Sequence, residues 1–399
     1  METKDLVLKK LQEGKTTRYL LLDNGNRVYV INELLYDILA LCQQTSNYEL
    51  IIEAVNKKHS IDYVDATFIK RSLETTMAKL TQKQGQKSLD FINLKLTVIK
   101  EGQFQSVYKL VSILFNPYIF ALFGVFSIGY ACYFFIANKL LSLQFIYQHA
   151  LPQLSPQNVA AVYLIMLPVI ILHEIGHASA SFHYGVKPKE IGFGFYFIFP
   201  VFFSNVTNIW QLDKLKRIVV NLGGIYLQLI VNVLLIFLYT RQVANPLIFM
   251  LIIINVGSII GSLNPFFRYD GYWILSDSIG IPNLKAGAQK IAVKLFFDRP
   301  KNSMPFIKTQ PKSLLIYVIL SIAFWLYVYY AVMRYCTAAI TKISVLFSLS
   351  GWQQSQLALT ESVVDAFSIL LVFYLLILHL QQTLKVIRNE TNGIFSGKK

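Results

Sequence analysis

The sequence predicts an all-α polytopic membrane protein of about six transmembrane helices with a re-entrant β-like segment, preceded by a small N-terminal cytosolic winged-helix-like α+β domain. Three observations predict it. Of the 399 residues, 54% are hydrophobic and 14% aromatic, with a mean hydropathy of +0.48, which is not the composition of a soluble domain. Long uncharged runs alternate with segments that hold the Lys and Arg residues behind a net charge of +15. The first hundred residues are polar and begin without the apolar core of a secretory signal, so they are expected to stay in the cytosol. A basic balance distributed this way fits the positive-inside rule and an anionic membrane surface better than nucleic acid. The three cysteines, Cys42, Cys132 and Cys336, support neither a disulfide framework nor a cysteine metal cluster.

Residues 1–82 read as the small soluble domain. Within Tyr19 to Val30, two β-forming runs flank Asn24-Gly25, a pair suited to the positive backbone angles of a tight turn. Asn32 then stands as an N-cap, with Glu33 in the first turn and Leu34, Leu35, Ile38, Leu39 and Leu41 forming an apolar face. Helical patterns follow at 48–57 and 66–80. Lys57, Lys58, Lys70 and Arg71 are interspersed with Glu53, Asp62, Asp65 and Glu74, which describes a solvated surface and not a phosphate-binding one. Residues 83–110 read as a polar connector.

The apolar spans are expected at 111–138, 158–180, 218–240, 246–263, 313–333 and 366–380, leaving 381–399 as a tail. Six crossings put both termini on one side. Segment 264–312 alone carries eight Lys and Arg residues, whereas the opposite segments 138–157, 241–245 and 334–365 carry one, one and two. That asymmetry places both termini in the cytosol and makes the chain a multi-pass protein of the cell membrane.

The second span ends in Leu172-His173-Glu174-Ile175-Gly176-His177-Ala178. Ionisable side chains are costly in such surroundings and usually functional. On a helix, His173 and His177 project from one face, close enough for both rings to hold one metal ion, and Glu174 can reach a water on that ion. Two His ligands with a neighbouring Glu as general base, then acid, form the zincin arrangement. A further protein ligand is needed. Asp270, in Asn264-Pro265-Phe266-Phe267-Arg268-Tyr269-Asp270-Gly271, follows the fourth span and is expected at the same cytosolic depth. His183 falls on another helix face, and Asn221, Gln228 and Asn232 read as interhelical hydrogen-bonding groups. Gly257 and Gly261 have the spacing of a close helix contact.

Between these motifs, the run Ile191 to Phe203 is too short to span, rich in β-formers and interrupted by Gly192, Gly194 and Pro200. It is expected to form a re-entrant strand or hairpin beside the metal site, where protein or a water-filled cavity must cover its backbone.

His-Glu-x-x-His on one membrane helix, followed by Asn-Pro and then Asp-Gly near a later one, resembles the site-2 protease family of intramembrane zinc metalloproteases. The resemblance covers about residues 155–280. It implies zinc held by His173, His177 and Asp270, Glu174 as the catalytic residue, and Asn264 near the bound substrate. The usual second motif ends Leu-Asp-Gly-Gly, whereas this chain has Tyr269-Asp270-Gly271-Tyr272, a variant similar to the bacterial peptide-processing and export-associated branch. The hairpin-then-helices order of residues 16–82 resembles a PqqD-like peptide-recognition domain, which implies capture of a leader peptide. Together they imply hydrolysis of a peptide bond near the cytosolic membrane face, in the maturation or export of a ribosomally made peptide. The expected partners are a peptide or membrane-protein substrate, the lipid bilayer and a peptide exporter, with no nucleic acid. Two alternatives stand beside it: release of a membrane-anchored regulatory protein, and a non-catalytic peptide-binding role in immunity or export. A metal-dependent transporter is disfavoured because no internal inverted repeat is visible.

Overall fold

A computed structural model describes residues 6–13, 16–22, 28–61, 63–81, 92–138, 156–196, 199–241, 245–281, 283–297 and 305–348, together with 374, 377 and 381. The expected sixth span, most of the tail and the Asn24-Gly25 turn lie outside these residues. The described chain is mostly helical with two small sheets.

In the N-terminal part, β1 (Val7–Glu13), β2 (Thr16–Leu22) and β3 (Val28–Ile31) form an antiparallel sheet in that order. The expected pair of strands is β2 and β3, in register Tyr19↔Ile31 and Leu22↔Val28. Strand β1 joins them, pairing Leu11 with Arg18. Because side chains alternate, the sheet has two apolar faces. Leu21 and the neighbouring Leu6 pack on Leu39 with Leu35, Leu73 and Met77 of the helices, while Leu11, Leu20 and Leu22 cluster on the other side.

Helix α1 (Glu33–Gln44) begins where expected: the Asn32 side chain accepts a hydrogen bond from the Leu35 N–H at 2.9 Å. Helices α2 (Tyr48–His59) and α3 (Ala66–Thr81) close over it through Ile38, Ile51, Val55, Val64 and Ile69. Ser60 ends α2 in the left-handed conformation, at φ 52°.

The stretch read as a connector contains β4 (Ile92–Lys100) and α4 (Gln105–Ser112). Strand β4 pairs with β5 (Glu190–Tyr196), which pairs in turn with β6 (Phe199–Ser204). The expected hairpin at 191–203 is therefore present as β5 and β6, inside a three-stranded sheet.

Among the described residues, four helices are long and apolar enough to cross a membrane. They lie in α5 (Pro117–Ala137), α6 (Pro156–His183, its apolar part Leu164–His183), α7 (Lys214–Arg241) and α11 (Lys312–Ser348, its apolar part Lys312–Ala338). The fourth expected span is α8 (Pro246–Ser262), apolar but only 17 residues long. With 61% of its apolar window buried, against 11% for α5, α6 is enclosed by protein. Helices α5, α7 and α8 pack against one another through Phe134, Ile236, Phe249 and Ile252, joined by Val162, Met166 and Val169 of α6.

Two compact units divide the chain. The first gathers residues 1–265 and 269–274, and the second residues 266–268 and 275–399. In the second unit, α10 (Leu284–Phe297) packs on the start of α11, with Gly287 against Leu314. Phe266 there stacks on Phe324 with ring centres 4.4 Å apart.

Among the described residues, Gly257 and Gly261 make no close packing contact, since a Cβ built at either meets nothing within 4 Å. Close approach occurs instead where α6 meets α7. A Cβ on Gly223 would stand 2.7 Å from the Gly176 carbonyl oxygen, and one on Gly176 would collide with the Gly223 carbonyl. Backbone touches backbone there, which only glycine permits.

Candidate metal centre

His173, Glu174 and His177 lie on the enclosed part of α6 and are all buried. The rings project from one face, with centroids 4.8 Å apart and planes at 79°. Gly224 makes room for the first of them, because a Cβ at that position would stand 2.5 Å from His173 Nε2. The close α6–α7 contact thus presses the histidine-bearing turn against a bare stretch of α7.

Asp270 begins α9 (Asp270–Ile279), after a turn that leaves α8 at Ser262. Gly271 explains how this turn doubles back so tightly: a Cβ there would overlap the Leu263 carbonyl. Asp270 Oδ2 lies 3.1 Å from His173 Nε2, and Oδ1 lies 3.3 Å from His177 Nε2. Asn264 sits on the same turn, its backbone N–H bonded to the Gly261 carbonyl at 3.1 Å.

The hydrogen bonds settle which ring nitrogens face the cluster. His173 Nδ1 is 2.9 Å from Gln228 Oε1, and His177 Nδ1 is 2.8 Å from the Val220 carbonyl. Both partners accept, so both Nδ1 atoms donate, and each Nε2 of the neutral rings presents a lone pair. The two Nε2 atoms are 3.1 Å apart, and the Asp270 carboxylate straddles them with one oxygen toward each ring. Facing lone pairs and a carboxylate repel one another unless a cation lies between them.

The spacing suits zinc. Bonds of about 2.0–2.1 Å in a tetrahedral site put neighbouring ligand atoms about 3.3 Å apart. One ligand atom from each of His173, His177 and Asp270 falls within 4.8 Å of the others. Of the residues expected at the site, these three converge and Glu174 adjoins them, while Asn264 occupies the turn that delivers Asp270. His183, at the end of α6, faces the Tyr184 ring instead, with centroids 5.0 Å apart.

Further groups hold these residues in place. Gln228 Nε2 donates to Ser258 Oγ at 3.2 Å and to Asn255 Oδ1 at 3.4 Å, while Asn255 Nδ2 donates to the Gln228 carbonyl at 3.0 Å and to Asn232 Oδ1 at 3.4 Å. This fixes the Gln228 amide with its oxygen toward His173. The expectation that Gln228 and Asn232 bond between helices is met, and Gln228 additionally serves the metal cluster. Strand β6 packs against α6, and its last residue, Ser204, brings its backbone beside the Glu174 carboxylate. Neither the Ser204 amide nor the Val220 carbonyl has a side-chain signal in the sequence. The pair Gly223-Gly224, set among large residues, was the visible mark of a close contact.

Fold and residues together define a membrane protein with a buried His-His-Asp cluster and an adjoining glutamate. No family model matches the chain, and no solved structure matches it. It is similar to the Bacillus subtilis (strain 168) protein named "Putative peptide zinc metalloprotease protein YydH", with 28% identity over 124 residues. That match covers 29% of this chain and 46% of the relative, so the likeness spans less than half of the relative's length.

Proposed function

We propose that this chain is a zinc metalloendopeptidase of the site-2 protease type. It hydrolyses a peptide bond near the cytosolic membrane face, in the maturation or export of a ribosomally made peptide. The observation that carries the reading is the convergence of His173, His177 and Asp270 with Glu174 buried beside them. The similarity to a protein named as a peptide zinc metalloprotease supports the same chemistry. In the site-2 reading both termini are cytosolic and residues 1–82 capture a leader segment in the manner of a PqqD-like domain.

His173 and His177 would hold the ion through Nε2, and Asp270 through its carboxylate. A bound zinc ion supplies a Lewis acid that polarises the scissile carbonyl and acidifies water. Glu174 takes a proton from the attacking water and returns it to the leaving amine. Its carboxylate lies beside the Ser204 backbone. A scissile peptide must be extended, because helical hydrogen bonds hide its carbonyls. Strand β6 lies at the edge of its sheet and ends beside Glu174, so it suits strand addition by an extended substrate. Asn264 is proposed to contact that substrate.

Purified protein incubated with candidate precursor peptides tests the proposal. Cleavage is expected with zinc, and not with a chelator or in Glu174→Gln. Cleavage that persists in Glu174→Gln refutes it.

A further inference from the structure

The 3-10 turn Thr207–Gln211 connects β6 to α7, and the N-terminal sheet grips it. Trp210 on this turn has two guanidinium groups over its ring. Arg18 of β2 stands 5.4 Å from the ring centre, and Arg217 of α7 stands 5.5 Å from it. Arg217 is 2% exposed and donates to the Leu212 carbonyl at 2.7 Å, and Lys9 of β1 donates to the Gln211 carbonyl at 3.1 Å. Lys9 and Arg18 belong to the sheet face that carries Leu11, Leu20 and Leu22, the face turned away from α1–α3. Leu20 is fully buried on that face, although the helices cover only the other one.

The rest of the turn is anchored inward. Ile209 and Leu212 are buried in a cluster with Phe115, Ala180 of α6 and Val220, Tyr226 and Leu227 of α7. Upstream, Asn205 bonds Glu190 and Thr207, and Glu190 also accepts from Thr97 of β4. Ser204 immediately precedes Asn205. One short segment therefore runs from the end of β6, beside Glu174, to the indole that the N-terminal domain contacts.

We infer that Trp210 is a positioning residue: held by Arg18 and Arg217, it fixes the segment that ends β6 beside Glu174, so docking of the N-terminal domain sets the catalytic alignment. The inference rests on the metallopeptidase reading. It makes the N-terminal domain part of the structural support of the site, in addition to any capture role. The contact needs both the aromatic ring and the cations, since the attraction is between the ring's π-face and the guanidinium charge.

The test uses the full-length protein. In Trp210→Ala, hydrogen exchange across 199–212 is expected to rise about tenfold and the maximal hydrolysis rate to fall about tenfold, with KM and zinc content unchanged. Trp210→Phe keeps an aromatic ring for the two cations and is expected to restore both readouts. Arg18→Gln, a change on the N-terminal sheet, is expected to shift them in the same direction and to add little to Trp210→Ala. Wild-type exchange in Trp210→Ala overturns the inference, as does Trp210→Phe behaving like Trp210→Ala, or faster exchange without slower hydrolysis. If the wild-type protein hydrolyses no peptide, the metallopeptidase reading fails, and exchange in Arg18→Gln still decides whether the domain holds the turn.

Discussion

Gly176 and Gly223 bring the backbones of α6 and α7 into direct contact, within the same turn that carries His177. A methyl group on either side must push the helices apart, and both histidine rings hang from α6.

Gly223→Ala is accordingly expected to destabilise the protein by about 1–3 kcal/mol, the usual cost of overpacking. Gly224→Ala should act on the His173 ring directly and weaken zinc retention. Thermal unfolding together with chelator competition separates the two effects. Gly257→Ala and Gly261→Ala, which face open space, should stay within about 0.5 kcal/mol of wild type.

His173→Ala and His177→Ala should each lose the zinc that the purified protein is expected to hold at about one per chain. Glu174→Gln should keep it while turnover falls by several orders of magnitude, about the loss expected when a general base is removed. Asp270→Ala should lower zinc affinity as well as turnover. Zinc lost in Glu174→Gln but kept in Asp270→Ala would show that the ligand set is wrong.

Gln228→Ala removes the acceptor that holds His173 Nδ1–H. Zinc affinity is expected to drop about 10–100-fold, as it does when other outer partners of ligating histidines are removed. Gln228→Glu still accepts the proton and should retain most of the affinity. Equal affinities in all three proteins, measured against a chelating dye, would assign the Gln228–His173 contact no part in metal binding.

In the N-terminal domain, Asn32→Ala should cost about 0.5–2 kcal/mol by removing the α1 cap. Zinc content should not change, because no ligand comes from that segment. Chemical unfolding followed by far-ultraviolet circular dichroism measures the first quantity, and metal analysis the second.

The parts legible in the sequence were those governed by short-range periodicity. His173 and His177 are one helical turn apart, and Asn32 announces α1 by its chemistry alone. Asp270 was found because a charge-derived topology brought it to the depth of the two histidines. Strand β4 was missed although Leu94, Leu96 and Val98 alternate with polar residues, because interspersed lysines suggested a solvated linker and its partner strand lies about ninety residues later. The Ser204 amide and Val220 carbonyl are backbone groups, which every residue has, so only the folded chain can single them out. Gly257 and Gly261 misled because spacing measures opportunity for contact, not whether a neighbour is there.

The pairing of Lys100 with Glu190 has a further consequence for how the chain is threaded. The strand before α5 and the strand after α6 belong to one sheet, so, if both helices cross a membrane, they cross it in opposite directions. At a synthesis rate of about 5–20 residues per second, β4 leaves the ribosome roughly 5–20 s before β5 exists. Until then β4 lacks the strand that completes its hydrogen bonding, a delay that a purely helical bundle does not impose.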